Sequence, residues 1–222
     1  MDLASPDLHA LAEGVKPLLD WRDVPVDLAS LAALAAGLGW ASGLRLYALV
    51  FVLGALERFA GVQLPGGLGM LAHPLILGVS GLLLLVEFFA DKLPWLDSIW
   101  DAVHTFIRIP AGAALAAAVM GDQGGALQLA MGLLGGTLAA GTHLAKAGAR
   151  AAINTSPEPV SNVVASLGED VLFAGGVWTL LHKPLLFLAA LVVFCVLAVL
   201  LIVMLWRFVR RLFAARPARP LP

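Results

Sequence analysis

Glu169 and Asp170 stand side by side near the middle of an apolar run, Val160 to Leu181. With Asn162 and Ser166, Glu169 continues a polar stripe at i, i+4 and i+7 spacing, along one face of a helix. A carboxylate at the centre of a bilayer costs about 2.5–3.5 kcal/mol on insertion scales, so it must be paired, protonated or facing water. Arg45, about midway along another apolar run, is the obvious counter-charge. His143, Lys146 and Arg150, spaced i, i+3 and i+7, form a stripe on a third helix. Such a set suits a polar pathway for an ion, a proton or a small polar solute. The alternative is an internal salt-bridge network that fixes helix register. The pathway candidates are Arg45, Glu87, His143, Lys146, Glu169 and Asp170.

A second concentration of polar residues follows Pro94. Asp97, Asp101, His104 and Arg108 share one helical face, while Leu96, Ile99, Trp100, Val103 and Phe106 cover the rest. The pattern predicts an amphipathic helix at the membrane interface or against the bundle, with its acids meeting cytoplasmic water. Asp97, Asp101 and His104 could bind a divalent cation or relay protons. The alternative is a solvated face, with Arg108 and nearby lysines pairing the acids. In the stretch INTSPEPVSN, two prolines interrupt the helix, and Asn154, Ser156, Glu158, Ser161 and Asn162 are loop or helix-cap candidates. Exposed helix N–H groups there would favour an anion, and loop carbonyls a cation.

The chain that must position these groups is 60% hydrophobic and only 13% charged, with a net charge of −1 and a mean hydropathy of +0.92. About 25% charged residues is usual for a soluble domain, so the composition implies an all-α protein in a lipid bilayer. No basic excess or motif points to nucleic acid. Cys195 is the only cysteine, which excludes a disulfide framework and a thiolate metal cage.

Six spans are predicted: Leu28 to Leu56, Leu68 to Ala90, a third made of Ala111 to Met120 joined to the helix before it and bent at Pro110, Ala126 to Ile153, Val160 to Leu181, and Pro184 to Phe208. A re-entrant pair of half-helices is the alternative for the third. Residues 1–27 read as an amphipathic segment broken at Pro6 and Pro17, with Trp21 as an interface anchor. Residues 28–208 form the transmembrane domain and 209–222 a basic tail. Arg207, Arg210, Arg211, Arg216 and Arg219 place that tail in the cytoplasm, and six spans then place both termini there.

Residues 28–121 can be laid over 125–208, matching Gly43 with Gly141, Arg45 with His143, Pro74 with Pro157 and Glu87 with Asp170. Three spans per half would make the repeats inverted, as in many transporters. GLLGG, Gly132 to Gly136, and Ala140 set small residues four apart, a helix-packing signal that could serve the monomer or a homo-oligomer.

EFFADKLPWLDSIWDAVHTFIRIPAG, HLAKAGARAAINTSPEPVSN and the later Glu169–Asp170 pair resemble the bacterial membrane family catalogued as domain of unknown function 4126. ASGLRLY resembles its first-span motif, in which asparagine is expected at the position of Arg45. The resemblance covers roughly Leu28 to Phe187 and implies a multi-pass protein of the bacterial inner membrane. It assigns no activity and no catalytic residue. The sequence favours a transporter or channel for an ion, proton or small polar solute. Its alternatives are a membrane-embedded enzyme or binding protein acting on a lipid at the cytoplasmic interface, and a non-catalytic scaffold. No GxSxG, HExxH or P-loop supports an enzyme, and no cofactor is implied.

Overall fold

The computed structural model describes residues 27–121, 123–155 and 159–214. Every regular element among them is helical: α1 Leu28–Ala60, a 3-10 segment Gly66–Ala72, α2 Pro74–Ala90, α3 Pro94–Val119, α4 Gly125–Ile153, α5 Pro159–His182 and α6 Pro184–Ala214. Local chemistry sets their ends. Asp27 caps α1 by accepting from the Ser30 N–H at 2.7 Å. Gly61 closes it in the left-handed conformation, at φ 69°. His73 Nδ1 accepts from the Leu75 N–H and so caps α2, while Pro74, Pro94, Pro159 and Pro184 open their helices where a missing N–H costs nothing.

Polarity is inside out. Phe106 is 82% exposed and Val171 74%, and Leu75, Trp95, Ile99, Val103, Leu185 and Val192 also face outward. Arg45, Glu87, Asp91, Asp97, Asp101, Arg108, Lys146 and Arg150 are buried. Water would impose the reverse arrangement, and lipid permits this one. Among the described residues four helices are long and apolar enough to cross a membrane: Leu28–Ala60, Trp95–Val119, Val160–His182 and Pro184–Arg211. The bent pair Gly66–Ala72 and Pro74–Ala90, at 74°, makes a fifth.

α1 passes that measure by length, yet it doubles back. A straight 33-residue helix would be about 50 Å long. Instead Leu31 lines one cavity with Pro65, Gly66 and Met120, so both ends of α1 lie at the same end of the bundle. The reversal is at Arg45, whose φ of −145° and ψ of 73° are not helical. The first arm, residues 28–44, runs along α4: Gly39 meets Gly135, and Gly43 meets Ala139. The second arm, residues 46–60, returns along α2 and the 3-10 segment, with Phe51 against Gly81 and Gly54 against Leu71. Glycine is required at the first crossing, because a methyl group on Gly39 would stand 2.5 Å from the Gly135 Cα.

Three expectations are corrected here, and one choice between alternatives is resolved. The first predicted span is not one straight helix: it breaks at Arg45 and its two arms fold back on each other. The third is borne out as one helix joined through Pro110 and long and apolar enough to cross, and its re-entrant alternative falls away. The segment after Pro94 is no interfacial helix. It is the first half of α3, and its polar face looks into the bundle. The proposed repeat pairs a broken helix with an unbroken one, since α4 runs from Gly125 to Ile153 without interruption.

The hairpin also sets the start of α1 and the later part of α6 towards opposite ends of the bundle. Leu31 lies at the Met120 end, whereas Leu205, late in α6, packs on Gly148 towards the opposite end. Of the predicted N-terminal segment 1–27 and basic tail 209–222, residues 1–26 and 215–222 lie outside the described residues, while residues 209–214 continue α6.

Cysteine labelling in a Cys195→Ala background checks this topology. Ala29→Cys and Gln63→Cys should react with a membrane-impermeant maleimide from the same side of intact vesicles, and Arg211→Cys only from the other. A straight first span would put Ala29 and Gln63 on opposite sides.

Candidate functional site

Five elements deliver charge to one region. Arg45 sits at the hairpin tip, Glu87 and Asp91 at the end of α2, and Asp97, Asp101 and Arg108 on the inner face of α3. Lys146 and Arg150 come from α4, and Glu169 and Asp170 from α5. The spacing that sets Asp97, Asp101, His104 and Arg108 on one face also sets that face inward, with Ile99, Val103 and Phe106 exposed on the other.

Asp91 is the hub. Its Oδ2 lies 2.5 Å from Arg45, 3.3 Å from Lys146 and 3.8 Å from Arg150. The residue sits in the turn after α2. Burial alone would raise its carboxyl, but Lys146, Arg45 and Arg150 outweigh that and hold it below the usual carboxylate range. From this hub the network runs two ways.

Towards α5, the Arg150 guanidinium grips Glu169 with two hydrogen bonds, of 2.8 and 3.0 Å. Its NH1 donates to the Asp91 carbonyl and to Asn162 Oδ1. Arg45 reaches Asp170 at 2.9 Å and donates to the Ser166 hydroxyl at 3.1 Å. Lys146 lies 3.4 Å from Glu169. Glu169 is 14% and Asp170 38% exposed, so this side forms the rim of the network.

Towards α3, Lys146 lies 3.7 Å from Asp101, which pairs with Arg108 at 3.1 Å. Arg108 also pairs with the fully buried Glu87. Arg108 can only donate, so His143 Nδ1 accepts its hydrogen bond and Nε2 carries the ring hydrogen. Nε2 donates to Thr105 Oγ1 at 2.7 Å, and Thr105 donates to the Asp101 carbonyl. His143 is thereby held as one neutral tautomer.

The predicted pathway residues Arg45, Glu87, His143, Lys146, Glu169 and Asp170 therefore meet in a single network. The expected cation site does not form. His104 Nδ1 bonds to the Trp100 carbonyl and its ring stacks on Trp100, while Asp97 and Asp101 turn to Arg150 and Arg108. Among the described residues no group of three or more His, Cys, Asp or Glu side chains is placed to hold a metal. The expectation that Asp97 and Asp101 meet water is also corrected. Both are buried, and Glu169 and Asp170 are the more exposed pair.

Of the loop candidates, Asn154 caps α4 and bridges Asp97 to Asn162 by donating to the first and accepting from the second. Ser161 lies in the first turn of α5. Ser156 and Glu158 lie outside the described residues. Asp91 was missed as a candidate because the sequence places it in a short loop before a proline, where acids usually meet water.

The family model described as domain of unknown function 4126 matches residues 32–204, which include every charged group of the network. No curated protein and no solved structure matches the chain.

Breaking the Glu87–Arg108 pair from one side strands a buried charge. Arg108→Gln should destabilise the protein by about 3–5 kcal/mol, measured as thermal unfolding in lipid nanodiscs. Glu87→Gln with Arg108→Gln should recover most of that loss.

Proposed function

The chain belongs to the family described as domain of unknown function 4126, and we propose that it is a multi-pass membrane protein that moves protons or small cations through its buried charge network. One observation carries the reading. Acids and bases alternate without a gap from Asp170 at the rim, through Arg45, Asp91, Lys146 and Asp101, to Arg108 and Glu87. Ionisable groups at this depth are costly, and apolar residues would hold helices together at lower cost. Static packing does not require six acids and four bases in one bundle.

The network fills the half of the bundle that contains the α2–α3 turn and the α4 C-terminus. The other half is packed with apolar side chains, Leu38, Leu49, Leu68, Val119 and Met120 being buried, and the cavity lined by Leu31, Pro65, Gly66 and Met120 lies at its far end. Lys92, Arg150 and the arginines late in α6 lie at the charged end, which we place in the cytoplasm of a bacterial inner membrane. After the hairpin, α3, α5, α6 and the bent pair of the 3-10 segment with α2 are long and apolar enough to cross; in our reading α4 crosses beside them, and the hairpin brings Arg45 from the opposite side to meet the charges. This arrangement resembles the broken helices that line sites in transporters, where irregular backbone is tolerated because it faces a polar interior. Excess acid at the rim favours cations over anions.

Proton flux into liposomes carrying the purified protein, driven by a potassium diffusion potential and read with a pH-sensitive dye, tests the reading. The wild type should acidify the lumen faster than empty vesicles. Asp170→Asn, which keeps the shape of a partly exposed side chain, should stay folded and bring the rate down to that of empty vesicles. A wild-type rate no greater than that of empty vesicles, or an unchanged rate in the variant, would overturn the proposal.

A further inference from the structure

Six acids meet four bases in the network: Glu87, Asp91, Asp97, Asp101, Glu169 and Asp170 against Arg45, Arg108, Lys146 and Arg150. Asp170, 38% exposed, can be solvated at the rim. One negative charge among the remaining five then has no positive partner. An uncompensated carboxylate in a low-dielectric interior takes up a proton rather than stay ionised.

The contacts single out which carboxyl that is. Asp91 has three cations, the nearest at 2.5 Å, and Glu169 is bound by both arms of Arg150. Asp101 has Arg108 and Lys146, and Glu87 has Arg108. Asp97 has only Arg150, at 3.9 Å and without a hydrogen bond, and Arg150 is already engaged by Glu169. The Asp97 side chain is fully buried. Its Oδ2 accepts from Asn154 Nδ2 at 3.3 Å, and its Oδ1 accepts no hydrogen bond among the described residues. The charged groups around it are Asp91 from the turn after α2, Asp101 one turn along α3, and Lys146 and Arg150 from α4, with α5 contributing Glu169 beyond Arg150.

We propose that Asp97 is a proton-binding site, with its proton on Oδ1, the oxygen that lacks a donor. It lies in the first turn of α3, beside the Asn154 cap of α4, at the charged end of the bundle. A proton from water at that end bonds to Oδ1 and leaves by the same route or to Asp101, whose buried Oδ2 also accepts no hydrogen bond among the described residues. This rests on the pathway reading above and names its ion as the proton.

Infrared difference spectroscopy on the protein in lipid tests the site without measuring transport. At mildly acidic pH the wild type should show the C=O stretch of a protonated carboxyl, shifted in deuterium oxide. Asp97→Asn should abolish that band and Asp170→Asn should keep it. Replacing a neutral acid by its neutral isostere should leave the unfolding temperature nearly unchanged, whereas Asp91→Asn, which removes an ionised partner from three cations, should lower it. No protonated-carboxyl band in the wild type, a band that survives Asp97→Asn, or an Asp97→Asn protein that fails to fold would each overturn the site. A band with no proton flux would leave the site standing and remove the pathway; flux without the band would do the opposite.

Discussion

A guanidinium buried in a membrane protein must be met by carboxylates, and the Arg45–Asp91 contact is the constraint on which this architecture depends. Arg45 lies on the central element, buried almost completely along residues 31–49. Its charge cannot be left in apolar surroundings, so the backbone breaks where the side chain reaches Asp91, Asp170 and Ser166. The break turns α1 back on itself, and the return arm shapes the surface on which α2 and the 3-10 segment pack. Without acids at the end of α2 and on α5, nothing would compensate the tip of the hairpin.

Close approach of helices is the second condition. Gly39 on Gly135 and Gly43 on Ala139 let the first arm lie backbone to backbone with α4. That contact sets the height of Arg45 relative to Lys146 and His143. Trp40 then closes the other side, edge-on to Phe187 and Phe194 of α6. Small residues therefore position the charges, and large ones keep the remaining half of the bundle apolar.

Much of this was legible in the sequence, for identifiable reasons. The ends of α4, α5 and the start of α6 follow from Gly and Pro punctuation and from long apolar runs, and the structure places them within a residue or two of expectation. The stripes on α4 and α5 follow from helical spacing, and they do converge. The break at Arg45 was illegible because no proline or paired glycine marks it. It arises from contacts with residues far along the chain. Spacing also showed that Asp97, Asp101 and Arg108 share a face, but not where that face points. In a bilayer the polar face turns inward, the reverse of the rule for water. Asp91 escaped notice because its partners lie on three other elements, which a single sequence cannot bring together.

The distance between spin labels at Ala29→Cys and Gln63→Cys, measured by double electron–electron resonance in nanodiscs, tests the hairpin and hence the placement of Arg45 most directly. The account expects a short distance, of the order of a helix pair's separation, about 10–20 Å allowing for the label arms. A separation of about 50 Å, the length of an unbroken helix through those residues, would contradict it.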